Sequence, residues 1–167
     1  MKKTKKLTVA GVLIALGVLL STFYIPLGVS KCFPIQHLIN VVSAVVLGPL
    51  YAVGNAFVIS LLRNILGLGS PLAFPGSMIG ALLAAVMYKQ FKNIYAAAMG
   101  EVVGTGIIGA LLAGYFSIYL LGTDVNVLFF IVPFALSSVG GSLIALFILK
   151  IADFEKRVLG KKDPVEK

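Results

Sequence analysis

Tryptophan is absent from this 167-residue chain, cysteine and histidine each occur once, and charged residues make up only 12% of it. Each shortage excludes something. A single cysteine, Cys32, allows neither an internal disulfide nor a CxxC pair. A single histidine, His37, cannot supply an HExxH zinc motif, and no G-x-S-x-G nucleophile turn occurs. No GxxxxGK[ST] loop is present, which removes that route to ATP. His37 with Ser43 or Cys32 is the only nucleophile–base combination on offer, and neither spacing suits a catalytic pair. The expectation is a protein that is not an enzyme and carries no metal or cofactor.

Apolar sequence is what the chain has instead. Hydrophobic residues make up 59% of it, whereas soluble domains are about half apolar and about a quarter charged. Uncharged runs of about 20 residues are long enough to span a bilayer. The net charge of +8 could suggest nucleic acid, but its placement does not. Lys2, Lys3, Lys5 and Lys6 precede the first apolar run. Lys150, Lys156, Arg157, Lys161, Lys162 and Lys167 follow the last. Basic flanks around apolar spans set orientation, while a nucleic-acid surface needs basic residues gathered on one folded face. The basic start and apolar core of "MKKTKKLTVAGVLIALGVLL" also resemble a secretory signal. No small-x-small cleavage pattern follows, so a retained first helix is expected.

The pattern predicts an all-α integral membrane protein, a single membrane domain over 1–167. Its six transmembrane helices are expected at about 7–27, 35–48, 51–67, 75–89, 94–121 and 127–151. The doubtful point is Gly48-Pro49. Read through, it leaves one kinked helix and five spans, with the two termini on opposite sides. Read as a break, it gives six spans, both termini cytoplasmic, and all basic residues inside except Lys31 and Arg63. The positive-inside rule favours six. The outer side then carries loops 28–34, 68–74 and 122–126, and the protein is expected in the plasma membrane.

Polar residues of the spans gather near that outer side. Gln36, His37 and Asn40 open the second span, with 36 and 40 one helical turn apart. Arg63 and Asn64 close the third, Ser77 opens the fourth, and Asp124 and Asn126 precede the sixth. Polar groups facing lipid are costly, so these predict an outward-facing, protein-lined pocket. Arg63 has two readings: a side chain snorkelling to the outer headgroups, or a cavity arginine that meets ligand or pairs with an acid. Glu101, with Thr105 one turn away, is the only carboxylate inside a span. It reads either as an interhelical hydrogen bond or as a functional group. The glycines and alanines of 100–114 serve close helix packing or leave room for a ligand. Gly11-x-x-x-Ala15 marks a helix contact face, internal or for a partner.

The blocks "SLLRNILG" and "LAFPGSMIGALLA" within 31–89, together with "GEVVGTGIIGALLAG" at 100–114, resemble the ThiW family. ThiW proteins are substrate-binding S components of energy-coupling factor (ECF) vitamin transporters. The resemblance implies a six-helix fold with an outward pocket. It also implies a transmembrane coupling protein and two ATPase subunits as partners, and delivery by toppling in the membrane. The implied ligand is hydroxyethylthiazole, the thiazole precursor of thiamine. Phe33, Phe74 and Pro75 would then form an apolar wall, and Gln36, His37, Asn40, Asn64, Ser77 and Asn126 would meet the ring nitrogen and hydroxyl. Arg63, Glu101 and Thr105 would shape the pocket. Gly11 and Ala15 match the family's small-xxx-small docking motif, with Gly in place of the first Ala. An S component for thiamine or another vitamin, and a membrane assembly protein without ligand, remain open.

Overall fold

The computed structural model describes residues 1–27 and 30–158. Gly28, Val29 and the tail lysines Lys161, Lys162 and Lys167 therefore lie outside the described residues. Six helices carry the chain: α1 (Lys3–Leu19), α2 (Pro34–Val46), α3 (Pro49–Ile65), α4 (Ala73–Phe91), α5 (Ile94–Leu121) and α6 (Ile131–Val158). Between α1 and α2 runs a short antiparallel hairpin, β1 (Ile25–Leu27) and β2 (Ser30–Cys32), with Ile25 opposite Cys32. The sequence reading extended the first span to residue 27; the helix instead ends in a 3-10 turn at Leu20–Thr22, and Pro26 sits in β1.

The breaks have local causes. Gly48 adopts φ 88° and ψ 179°, a region essentially reserved for glycine, and Pro49 follows at the first position of α3. The two together end α2 and start α3 within three residues. Lys92 takes a left-handed conformation, and the Asn93 side chain accepts from Tyr95 N at 2.9 Å. These two residues turn α4 tightly back into α5. Pro75 is the third residue of α4 rather than its first.

Three helical stretches are long and apolar enough to cross a membrane: Lys3–Thr22, Ile94–Leu121 and Val127–Ala152. Helix α2, with 13 residues, is about 20 Å long, short of the roughly 30 Å hydrocarbon core.

The interior is built from small side chains. Ala44, Ala52, Ala56, Ala81, Ala84 and Ala85 form one buried cluster. Val41, Ala97 and Ala145 form another. Large apolar groups face outward; Leu50 is 84% exposed and Tyr119 79%. Buried serine, asparagine and charged residues lie inside this apolar shell. A water-soluble core has the reverse arrangement, so the distribution is that of a bundle whose outer face meets lipid.

Helix α5 approaches α4 so closely that only glycine fits. A Cβ on Gly104 would lie 2.7 Å from Gly80 Cα, and one on Gly109 2.3 Å from Gly76 Cα. Within α5, Gly104–Gly109 is π-helical, a local widening that recurs near functional sites. The α4 backbone fills the space these glycines leave, so of the two readings of 100–114 the structure shows close packing.

Candidate functional site

Glu101 on α5 is fully buried, and Gly80 of α4 leaves the space its carboxylate occupies. Three groups converge on Oε1: His37 Nδ1 at 2.8 Å, Asn40 Nδ2 at 3.0 Å and Thr105 Oγ1 at 2.9 Å. An amide N–H must donate, and with Glu101 ionised its Oε1 accepts from all three groups, which makes Nδ1 of His37 a donor. The imidazole is thereby fixed in orientation, and its Nε2 has no hydrogen-bond partner among the described residues. Glu101 Oε2 and Asn40 Oδ1 are buried without partners.

Arg63 closes the other half of the cluster. It is 1% exposed, which sets aside the snorkelling alternative. Its Nη1 donates to Gln36 Oε1, and Nη2 to Leu68 O at 3.3 Å. The guanidinium carbon sits 4.0 Å from the centre of the Phe33 ring. Gln36 Nε2 in turn donates to Ser60 Oγ at 2.8 Å and Ser77 Oγ at 2.6 Å, and Asn40 Nδ2 reaches Ser77 O at 3.1 Å. Arg63 and Glu101 are thus joined through Gln36, Ser77 and Asn40. They do not pair directly; the one ion-pair contact among the described residues is His37 with Glu101.

A cavity of about 40 Å³ lies between these groups, at the end of the bundle that carries the hairpin and the 66–72 turn. Of the residues singled out from sequence, Phe33, Gln36, His37, Arg63, Ser77 and Thr105 line it. Asn40 and Glu101 stand behind that lining, in the hydrogen-bond network. Lys31, Ala73, Phe134 and Ser137 also line it and were not anticipated.

Four expected residues are elsewhere. Asn64 ties α3 to the following turn by donating to Ser60 O and Ser70 O. Phe74 packs against Phe57, with ring centres 5.7 Å apart. Pro75 belongs to the first turn of α4 and does not line the cavity. Asn126 caps the short 3-10 turn before α6, accepting from Leu128 N at 2.8 Å. Gly11 and Ala15 are exposed on α1, and a Cβ on Gly11 would meet nothing within 4 Å. No group of three or more His, Cys, Asp or Glu suited to a metal ion occurs among the described residues.

An apolar exterior and helices long enough to cross a bilayer, around a buried polar network, are the features of a helical membrane protein. A family described as thiamine-precursor transporter protein (ThiW) matches residues 7–154, and the chain belongs to it. Comparison with curated proteins and with solved structures gives no match.

Proposed function

We propose that the protein is the substrate-capture subunit of an ATP-driven importer, and that it binds the thiazole precursor of thiamine in the cavity between α2, α3, α4, α5 and α6. Family membership supports the precursor class. The observation that carries the site is the His37–Glu101 contact, which holds one imidazole nitrogen ready at the cavity wall. In this reading His37 Nε2 accepts from the hydroxyl of hydroxyethylthiazole, or meets the ring nitrogen through water. Phe33 offers its face to the heterocycle. All six helices lie in the plasma membrane, with both termini cytoplasmic.

The cavity, about 40 Å³, holds about three waters by the usual measure. Small-molecule pockets run to several hundred Å³. Admission of a thiazole therefore requires the hairpin or the 66–72 turn to shift. Thiamine is larger, and its ring is cationic. Arg63 and Lys31 on the wall disfavour it. Calorimetry on the purified protein in detergent is expected to show hydroxyethylthiazole binding at least ten-fold tighter than thiamine. The reverse order would reassign the protein to thiamine itself, and absence of both signals would favour an assembly role without ligand.

In this reading the energy comes from partners, an ECF coupling protein and two ATPase subunits; the GxxxxGK[ST] loop does not occur in the sequence. The exposed Gly11 and Ala15 face of α1 is the proposed docking surface. Gly11→Leu is expected to retain ligand binding in detergent while uptake in cells falls at least ten-fold. Normal uptake by that variant would move the docking surface off α1.

A further inference from the structure

Arg63 is almost wholly buried, yet no carboxylate among the described residues lies within 4.0 Å of it. Its partners are the neutral Gln36 Oε1, the Leu68 carbonyl and the Phe33 ring. Its Nε is buried with no partner at all. Arginine stays charged in proteins, and a buried charge without a counter-charge is costly. Glu101, the one buried acid among the described residues, bonds to His37, Asn40 and Thr105 and reaches Arg63 only through Asn40, Ser77 and Gln36. A second cation, Lys31, lines the same cavity from β2, its ammonium 4.4 Å from the centre of the Tyr24 ring. Among the described residues no aspartate or glutamate lines it.

We infer that a counter-charge in direct contact with Arg63 comes with the ligand. The cavity takes a thiamine precursor that bears an anion, a carboxylate or a phosphate monoester, set between Arg63 and Lys31. This rests on the cavity being the ligand site and specifies the chemistry it selects. The anion needs two features that are in place. Arg63 keeps N–H donors beyond the two given to Gln36 and Leu68, the unpartnered Nε among them. Lys31, at the rim, adds a mobile point charge that meets the anion on its way in. A neutral alcohol would leave the guanidinium as uncompensated as before. Burial of Arg63 beside a pocket lined by a second cation, Lys31, then has a purpose: it discriminates by charge where the heterocycle alone offers few handles.

The test compares hydroxyethylthiazole, its phosphate ester and inorganic phosphate, by calorimetry and thermal stabilisation of the intact chain in detergent. The ester is expected to bind at least ten-fold tighter than the alcohol. That ratio is expected to fall at least ten-fold in Arg63→Gln and about three-fold in Lys31→Gln. An alcohol that binds as tightly as the ester overturns the inference and leaves the thiazole reading standing. Stabilisation by inorganic phosphate that Arg63→Gln abolishes, with neither thiazole bound, keeps the anion subsite and discards the thiazole. Binding of none of the three overturns both. Should Arg63→Gln fail to fold, Lys31→Gln decides, because its side chain is exposed and its loss leaves the core intact. An unchanged ester-to-alcohol ratio in that variant overturns the proposal.

Discussion

Glu101→Ala is expected to lower stability by about 3 kcal/mol, since three buried donors lose their shared acceptor at about 1 kcal/mol each. For a chain of this size that is a fall of roughly 6–12 °C in the thermal midpoint. The donors come from α2 and α5, so the loss loosens the contact that sets the cavity wall. Glu101→Gln is the informative companion. It retains an acceptor oxygen for His37, Asn40 and Thr105 and should cost about 1 kcal/mol. Ligand affinity should follow the same order, falling at least ten-fold in the alanine variant because the imidazole is no longer held. Equal midpoints for the two variants would show that the carboxylate oxygen does not organise this cluster. Thermal unfolding in detergent, followed by far-ultraviolet circular dichroism, gives the comparison directly.

Gly109→Val is expected to be at least as damaging, at about 3 kcal/mol or more. Its Cβ would fall 2.3 Å from Gly76 Cα, and a backbone atom cannot swing aside as a side-chain tip can. Relief requires α4 and α5 to part, which also breaks the reach of Thr105 Oγ1 to Gly76 O, now 3.1 Å. Gly54→Ala serves as the control. Gly54 is exposed on α3 with nothing within 4 Å of its Cβ, so alanine should stabilise the helix by up to about 1 kcal/mol. A Gly109→Val midpoint within 2 °C, roughly, of the native one would mean that the α4–α5 contact is softer than its geometry indicates.

Sequence alone led to a helical membrane chain, because uncharged apolar runs have few other uses. The break at Gly48-Pro49 was readable because glycine reaches backbone angles closed to other residues and proline cannot continue the preceding helix. The hairpin was not. Its strands are three residues long, too short for a period-two pattern, and they merged with the end of the first apolar run. Half of the expected site residues line the cavity, since buried polar groups at one end of the spans had to face one another. Asn64 and Asn126 misled for a chemical reason: asparagine serves turns and helix caps as readily as ligands, and spacing does not separate these uses. The partnership of His37 with Glu101 spans 64 residues of sequence, so its geometry lies beyond local pattern. Lys31 read as a loop charge. Phe134 and Ser137 read as ordinary residues of an apolar helix, although the Ser137-Ser138 pair was a polar signal that could have been followed.

The alanine and glycine interior has a consequence for how this chain can change over generations. In a water-soluble domain the outer residues drift and the large inner ones are held. Here the outer leucines, isoleucines and phenylalanines meet a fluid that accepts any apolar shape, so they are interchangeable. Constraint falls on the smallest side chains, where one added methyl meets a neighbouring backbone. The least conspicuous letters of this chain are therefore those with the least room for change.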